Sequence, residues 1–323
     1  MAVTIDPRLF SDEAIDPETR ALNAEILAKI EATEDPWTFE PRDIRAMRAL
    51  GLGPFPLAPR SPRAETLTIE GPHGPIGLRI IRPAAGTTTG VYLHIHGGGW
   101  VWGTADQADP RLEHIADACG FAGVSIDYRL APEHPYPKGP DDCEAAALWL
   151  ARSAVDVFGT TVLAIGGESA GAHLSVVTLL RLRDRHGLTP FAGANLVAGV
   201  YDLNLTPSAR SWGGSRLILN TRDVEMFVRH FLLRGGSTAD PDISPIHAKL
   251  DGLPPALFSV GTKDCLLDDS LFMAARWQAA GNEADLAVFP GGVHVFQGFD
   301  TRLAAESHRR MDEFLRRIAS GAG

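Results

Sequence analysis

The chain has 323 residues, enough for one large α/β domain with an accessory lobe or for two ordinary domains, and its 45% hydrophobic and 22% charged content is that of a soluble globular protein. Forty acidic residues against 30 basic ones leave a formal charge of −10, with no extended Lys/Arg run, so no nucleic acid partner is expected. No stretch approaches the roughly 18 apolar residues of a membrane span, and the beginning, Met1-Ala2-Val3-Thr4-Ile5-Asp6-Pro7, lacks a basic segment followed by an apolar one, so neither a membrane partner nor a signal peptide is expected.

Asp16-Pro17-Glu18 starts a helix, because an Asp side chain caps free N–H groups and proline's fixed φ suits the first helical position. Leu22, Ile26 and Ile30 then form one stripe of a helix expected to run to about residue 34, where Asp35-Pro36 stops it. A shorter helix over 41–50 carries Ile44, Met47 and Leu50 on one side and ends at Gly51. The Pro- and Gly-rich stretch 51–62 reads as a linker, which sets a boundary near residue 60. Leu67 and Ile69, then Ile76, Leu78 and Ile80, alternate with polar neighbours around a Gly/Pro turn and predict two antiparallel strands. Apolar runs at 91–95, 121–126, 161–165, 194–200, 256–260 and 287–289 predict six more. Helical segments at 111–119, 141–152, 170–185, 269–280 and 303–318 fall mostly between them, the alternation of a mostly parallel eight-stranded sheet covered on both faces. One gap breaks it. After Val200 about forty residues pass before Leu253-Pro254-Pro255 leads into the next strand, and Val224, Phe227, Val228, Phe231 and Leu232 lie there at the i, i+3, i+4, i+7, i+8 spacing of an amphipathic helix. Paired with the N-terminal helices, it is expected to form a lid over the carboxyl edge of the sheet, where open α/β sheets bind ligands.

Gly167-Glu168-Ser169-Ala170-Gly171 sits between the 161–165 strand and the 170–185 helix. A sharp strand-to-helix turn forces its central residue into a strained backbone region and exposes Ser169 Oγ, with Gly167 and Gly171 giving clearance to the neighbouring strand and helix. His96-Gly97-Gly98-Gly99 directly follows the 91–95 strand, where unshielded backbone N–H groups of Gly98 and Gly99, with that of Ala170, would hold the oxyanion of an acyl-transfer intermediate. His96 itself reads as a structural residue of that loop, and a metal pair of His94 with His96 lacks a further ligand, so no metal site is expected.

His96-Gly97-Gly98-Gly99-Trp100, the block Asp127-Tyr128-Arg129-Leu130-Ala131-Pro132-Glu133-His134-Pro135, the Ser169 pentapeptide and Gly292-Val293-His294-Val295-Phe296 together resemble the hormone-sensitive-lipase-like family of carboxylesterases, over about residues 92 to 296. The resemblance implies an α/β-hydrolase core, a helical cap made from the N-terminus and an insertion after the sixth strand, and hydrolysis of carboxylic esters with no cofactor. The resulting division is 1–60 and 202–240 for the cap, and 61–201 with 241–323 for the catalytic domain. In the Tyr128 block Arg129 and Glu133 are available to pair. Glu168 departs from the Asp that most bacterial members carry before the nucleophile.

His294 lies just past the last apolar run, where a base would fold over the sheet edge, and the chain order Ser, acid, His matches that of α/β hydrolases. Asp264, Asp268 and Asp269 are the acids available. Asp264 comes soon after the 256–260 strand and 30 residues before His294, so it is the one selected; it is also the first Asp of the family's Asp-x-Leu-x-Asp pattern. Asp268 and Asp269 are expected to cap the following helix and complement its dipole. The expected activity is a serine carboxylesterase acting on small-molecule, short- to medium-chain esters, with Trp100, Trp212, Phe227 and Phe231 near the acyl and alcohol groups. An amidase or lactonase uses the same groups, and a ligand receptor on this fold would have lost a triad member that this chain retains. Cys119, Cys143 and Cys265 are dispersed and odd in number, which points to a reducing, cytoplasmic compartment rather than a disulfide framework. Dimers are common in the family, so a homodimer is expected by analogy alone.

Overall fold

The apolar runs become neighbouring strands because both their faces need cover. In β3 (Gly90–Ile95), β4 (Phe121–Asp127), β5 (Leu163–Glu168) and β6 (Gly193–Val197) nearly every residue is buried. The computed structural model describes residues 5–321; Met1 to Thr4, on which the expected absence of a leader partly rests, and residues 322 and 323 lie outside them. With β1 (Glu65–Ile69), β2 (Ile76–Ile81), β7 (Ala256–Lys263) and β8 (Ala284–Val293), the strands form one sheet in the order β1-β2-β4-β3-β5-β6-β7-β8. β2 runs antiparallel to β1 and β4, and all pairs from β4 onward across the sheet are parallel. This is an α/β-hydrolase fold.

Helices cover both faces. α3 (Asp109–Cys119) and α9 (Arg302–Ala319) bury Leu112, Ile115, Met311, Phe314 and Leu315 in one core, together with Ile26 and Ile30 of α1 (Pro17–Glu31). α4 (Lys138–Phe158), α5 (Ala170–His186) and α8 (Leu267–Ala279) bury Ala146, Leu150, Leu174, Met273 and Trp277 in the other, which Ile44 of α2 (Pro41–Ala49) joins. Between β6 and β7 lie α6 (Pro207–Ser211) and α7 (Thr221–Phe231). α7 is the expected amphipathic helix: Asn220 and Asp223 close a capping box, and Val224, Phe227 and Phe231 are buried.

Several boundaries differ from the periodicity, each for a reason in three dimensions. β8 runs from Ala284 to Val293 although only 287–289 reads as an apolar run. A Cβ on Gly261 of β7 would fall 2.0 Å from the Gly292 carbonyl oxygen, so facing glycines let the two strands converge past the end of that run. β6 stops at Val197, short of the expected residue 200, because Ala198 adopts φ 45° and turns the chain out of the sheet. α1 ends at Glu31, with Ala32 as its C-cap, rather than near residue 34.

The expected capping by Asp268 and Asp269 is corrected. The N-cap of α8 is Leu266, with no side-chain bond to the helix. Asp268 Oδ2 instead accepts from Ser208 N of α6 at 2.8 Å, and Asp269 accepts from Tyr201 N, Asp202 N and Thr206 Oγ1 at 2.6, 3.0 and 2.6 Å. The start of α8 lies beneath the outgoing chain, so its acids meet the free N–H groups of that segment before those of their own helix.

The N-terminal helices take different places. α1 lies along β8, with Asn23 Nδ2 donating to Gly291 O at 2.8 Å, whereas the Pro36–Thr38 turn reaches α7, with Trp37 Nε1 donating to Asp223 Oδ1 at 2.7 Å and Arg222 paired with Asp35. In the Tyr128 block Arg129 pairs with Asp142 and Glu133 with Arg45, not with each other.

Arg181 of α5, only 2% exposed, gathers Asp242, Asp141 and Glu144 at 2.6, 2.9 and 3.1 Å and so fastens the stretch before β7 to α4 and α5. Removing one partner of a buried ion cluster leaves the others uncompensated. Arg181→Leu is expected to cost about 3–5 kcal/mol, read as a lowered midpoint of chemical denaturation; an unchanged midpoint would remove the cluster from the account of stability.

Candidate active site

β5 delivers the chain to Glu168, and α5 begins at Ala170, so the whole change of direction falls on Ser169 at φ 56°, ψ −121°. Such a residue costs on the order of 1–3 kcal/mol, met here by packing and hydrogen bonds on both sides. Ser169 N donates to Val197 O at 2.8 Å and His173 N donates to Ser169 O at 3.1 Å. The carboxyl end of β3 lies against the turn: a Cβ on Gly167 would sit 2.0 Å from Ile95 O, and one on Gly171 1.8 Å from the same oxygen. Only glycine fits at either place.

Asp264 follows the last residue of β7 and its side chain is fully buried. Its Oδ1 accepts from Leu266 N at 2.9 Å, which leaves Oδ2 for His294 Nδ1 at 2.9 Å. His294 follows the last residue of β8 directly, and its Nε2 lies 2.9 Å from Ser169 Oγ. With the Nδ1 proton donated to the carboxylate, Nε2 presents a lone pair to the hydroxyl. Of the three candidate acids Asp264 alone meets His294, since Asp268 and Asp269 are turned toward residues 201–208.

The loop after β3 holds three consecutive residues in the left-handed region, Gly98 at φ 105°, Gly99 at φ 60° and Trp100 at φ 62°. Gly98 O accepts from Trp102 N at 2.8 Å and from Val101 N at 3.1 Å. The N–H groups of Gly98, Gly99 and Ala170 donate to no described residue. His96 is buried, its Nδ1 lies 2.8 Å from Gly97 O and its ring stacks on Tyr128 at 4.3 Å. Burial pushes its pKa down, which keeps the imidazole neutral.

The aromatic candidates take three settings. Trp100 and Phe231 stack on each other at 4.5 Å in the interior, and Trp100 Nε1 donates to His173 Nδ1 at 3.1 Å. His173 Nε2 in turn donates to Ile243 O at 2.8 Å, which fixes one neutral tautomer; burial lowers its pKa to about 4. Phe227 lies directly on Gly99, where an added Cβ would come within 2.1 Å of its ring. Trp212 is half-buried and donates to Ser215 O. Sequence reasoning missed Trp37, which stacks on Trp102 at 4.9 Å and meets the edge of Phe227 at 5.0 Å. It also missed His173, although the i+4 position after Ser169 on a helix was a usable signal.

A family model described as the alpha/beta hydrolase fold matches residues 92–298. The carboxylic ester hydrolase LipN of Mycobacterium tuberculosis is 37% identical over 240 residues, a match spanning 71% of this chain and 63% of LipN, so the chain spans less than two thirds of that relative. An esterase of Acinetobacter venetianus is 30% identical over 268 residues, 80% of this chain and 86% of that one. Among solved structures, a hyperthermophilic esterase from the archaeon Pyrobaculum calidifontis superposes with a TM-score of 0.84 at 28% identity, covering 94% of this chain and 99% of that one. A hormone-sensitive lipase from a metagenome library superposes at 0.80 with 26% identity over 94% and 99% of the two chains.

Gly171→Ala puts a methyl group onto a backbone carbonyl that has nowhere to go and is expected to cost about 3 kcal/mol or more. Gly298→Ala, where the added carbon meets nothing within 4 Å, is the control and is expected to stay within about 0.5 kcal/mol of the parent. Denaturation midpoints of the two variants decide it; equal midpoints would refute the close approach of β3 to the turn.

Proposed function

The chain belongs to the alpha/beta hydrolase fold family, with hormone-sensitive-lipase-like esterases among its kin, and we propose that it is a serine carboxylesterase hydrolysing short- to medium-chain esters through an acyl-enzyme. The observation that carries the reading is the unbroken run Asp264 Oδ2, His294 Nδ1, His294 Nε2, Ser169 Oγ, with 2.9 Å at each hydrogen bond. Ser169 Oγ attacks the ester carbonyl carbon as His294 Nε2 takes its proton, and Asp264 stabilises the imidazolium. Negative charge that develops on the carbonyl oxygen is received by the N–H groups of Gly98, Gly99 and Ala170, each worth about 10²–10³ in rate. Collapse breaks the bond to the alkoxy oxygen, which leaves as the alcohol with the proton from His294. Water then loses a proton to His294 while its oxygen attacks the acyl carbon, and the second collapse returns the proton to Ser169 and frees the acid.

Residues 1–60 and 202–240 act as the cap in this reading. Its support is the contact of Phe227 with Gly99 and the packing of Trp37 on Trp102 and Phe227, which set aromatic walls close to the donors and favour acyl chains of limited length. Cys119, Cys143 and Cys265 are buried and free, which supports a reducing, cytoplasmic setting. Among the described residues no helix is long and apolar enough to cross a membrane.

A serine-directed phosphonate is expected to label Ser169, and Ser169→Ala to leave a folded protein whose turnover is lower by several orders of magnitude. Asp264→Asn is expected to lower kcat by roughly 10⁴, while Asp268→Asn leaves it within a few-fold. Label on another serine, or the reverse order of the two Asp variants, would overturn the assignment. A series of p-nitrophenyl esters is expected to give the highest kcat/KM among short and medium acyl chains, with little turnover of the matching anilides. A steady rise out to long-chain emulsified substrates would contradict the size of the acyl space, and faster anilide cleavage would make the protein an amidase.

A further inference from the structure

Glu168 stands beside the serine, yet no step above uses it. Its Oε1 accepts from Gly97 N at 2.8 Å and its Oε2 meets His94 Nε2 at 3.0 Å, while His94 Nδ1 lies 2.9 Å from Ser125 Oγ. The run therefore begins in β4 at Ser125, crosses β3 at His94 and ends at the last residue of β5, tying three strand ends together. His94 is buried, and Glu168 keeps 29% of its side chain exposed. Burial acts to raise the Glu168 pKa, but His94 and the Gly97 N–H facing it outweigh burial and hold the carboxyl below its ordinary value, so the acceptor is a carboxylate.

The reach of that carboxylate matters because of where Gly97 stands. β3 ends at Ile95, so the chain beyond it has no sheet ladder to hold it, and the next three residues after Gly97 all adopt positive φ. Gly97 is bonded directly to Gly98, whose N–H donates to no described residue. A Cβ on Gly97 would already meet Glu168 O at 2.9 Å, so the loop rests on the same residue that its N–H binds. We propose that Glu168, locked by His94, is a positioning residue that sets the oxyanion loop against the serine. The residue before the nucleophile thereby fixes the distance between the attacking oxygen and two of the donors that receive the charge. Glutamate suits the task because its arm spans Gly97 N and His94 Nε2 together. The proposal rests on the reading of Ser169 as nucleophile.

The test compares wild type, Glu168→Ala and Glu168→Gln on a p-nitrophenyl ester. It adds inhibition by a trifluoromethyl ketone, which forms a charged tetrahedral adduct with an active serine, and a melting curve for each protein. Glu168→Ala is expected to lower kcat about 10²-fold with KM within about threefold, and to weaken the ketone in proportion to kcat. Glu168→Gln keeps an acceptor for Gly97 N–H and an amide that pairs with the other His94 tautomer, so its kcat is expected to recover to within about tenfold of wild type. If Glu168→Ala does not fold, His94→Leu replaces it, with the same kcat loss at nearly constant KM expected. Unchanged kcat and ketone affinity in the alanine variant overturn the proposal. So does a glutamine variant as impaired as the alanine one, which would assign the effect to charge instead of loop position. A wild-type protein that neither turns over esters nor takes the phosphonate at Ser169 would instead bring down the esterase reading, and the positioning role with it.

Discussion

The carbonyl oxygen of Ile95 occupies the space where β-carbons of residues 167 and 171 would be, and the rest of the site follows from that contact. It presses the end of β3 into the turn that carries Ser169, so the strand that launches the Gly98-Gly99 loop and the turn that presents the Ser169 hydroxyl share one rigid joint. Strain at Ser169 persists because the surrounding packing over-determines it, with Val197 O taking its N–H and α5 leaving from the next residue. A site built on strand ends inherits the precision of the sheet, which loops held only by themselves lack.

The other half of the constellation arrives by a second close approach. Gly261 and Gly292 face each other where β7 and β8 converge, and the two chains leave that crossing as Asp264 and His294. Leu266 N donates to one carboxylate oxygen of Asp264 and leaves the other for the imidazole, so the carboxylate has a fixed direction. Ser169, Asp264 and His294 therefore stand at the carboxyl ends of three different strands, and parallel pairing of those strands is what brings the ends to one edge.

Above the donors the polar logic gives way to stacking. Arg48 lies 4.4 Å over Trp102, Trp102 stacks on Trp37, and Trp37 stacks on His230 of α7 at 5.7 Å, with Phe227 edge-on to both tryptophans. Each layer comes from a different part of the chain: α2, the Gly98-Gly99 loop, the Pro36–Thr38 turn and α7. Among the described residues the pile joins the N-terminal segment to α7 without main-chain pairing between them, and Phe227 carries its pressure onto Gly99. Further along α5 the Arg181 cluster does the corresponding work with charge, fastening Asp242 to α4 and α5.

The order of strands and helices, the amphipathic face of α7 and the Ser169 turn were legible in the sequence, because periodicity, capping residues and glycines flanking a serine act between residues a few positions apart. His294 and Asp264 were within reach too, since each lies a few residues past a local apolar run, 287–289 and 256–260, in the chain order Ser, acid, His. What stayed hidden depends on residues far apart in the chain. The extra length of β8 rests on a glycine facing it from β7, the bonds of Asp268 and Asp269 on a segment about sixty residues earlier, and the place of Trp37 on a helix about 190 residues later. Glu168 read as an oddity of the pentapeptide, and only the alignment of β3, β4 and β5 turned it into the partner of Gly97 and His94. A side chain's reach is set by local geometry, which sequence carries; what lies within that reach is set by which strands pair and where they converge, and that is decided by the fold as a whole.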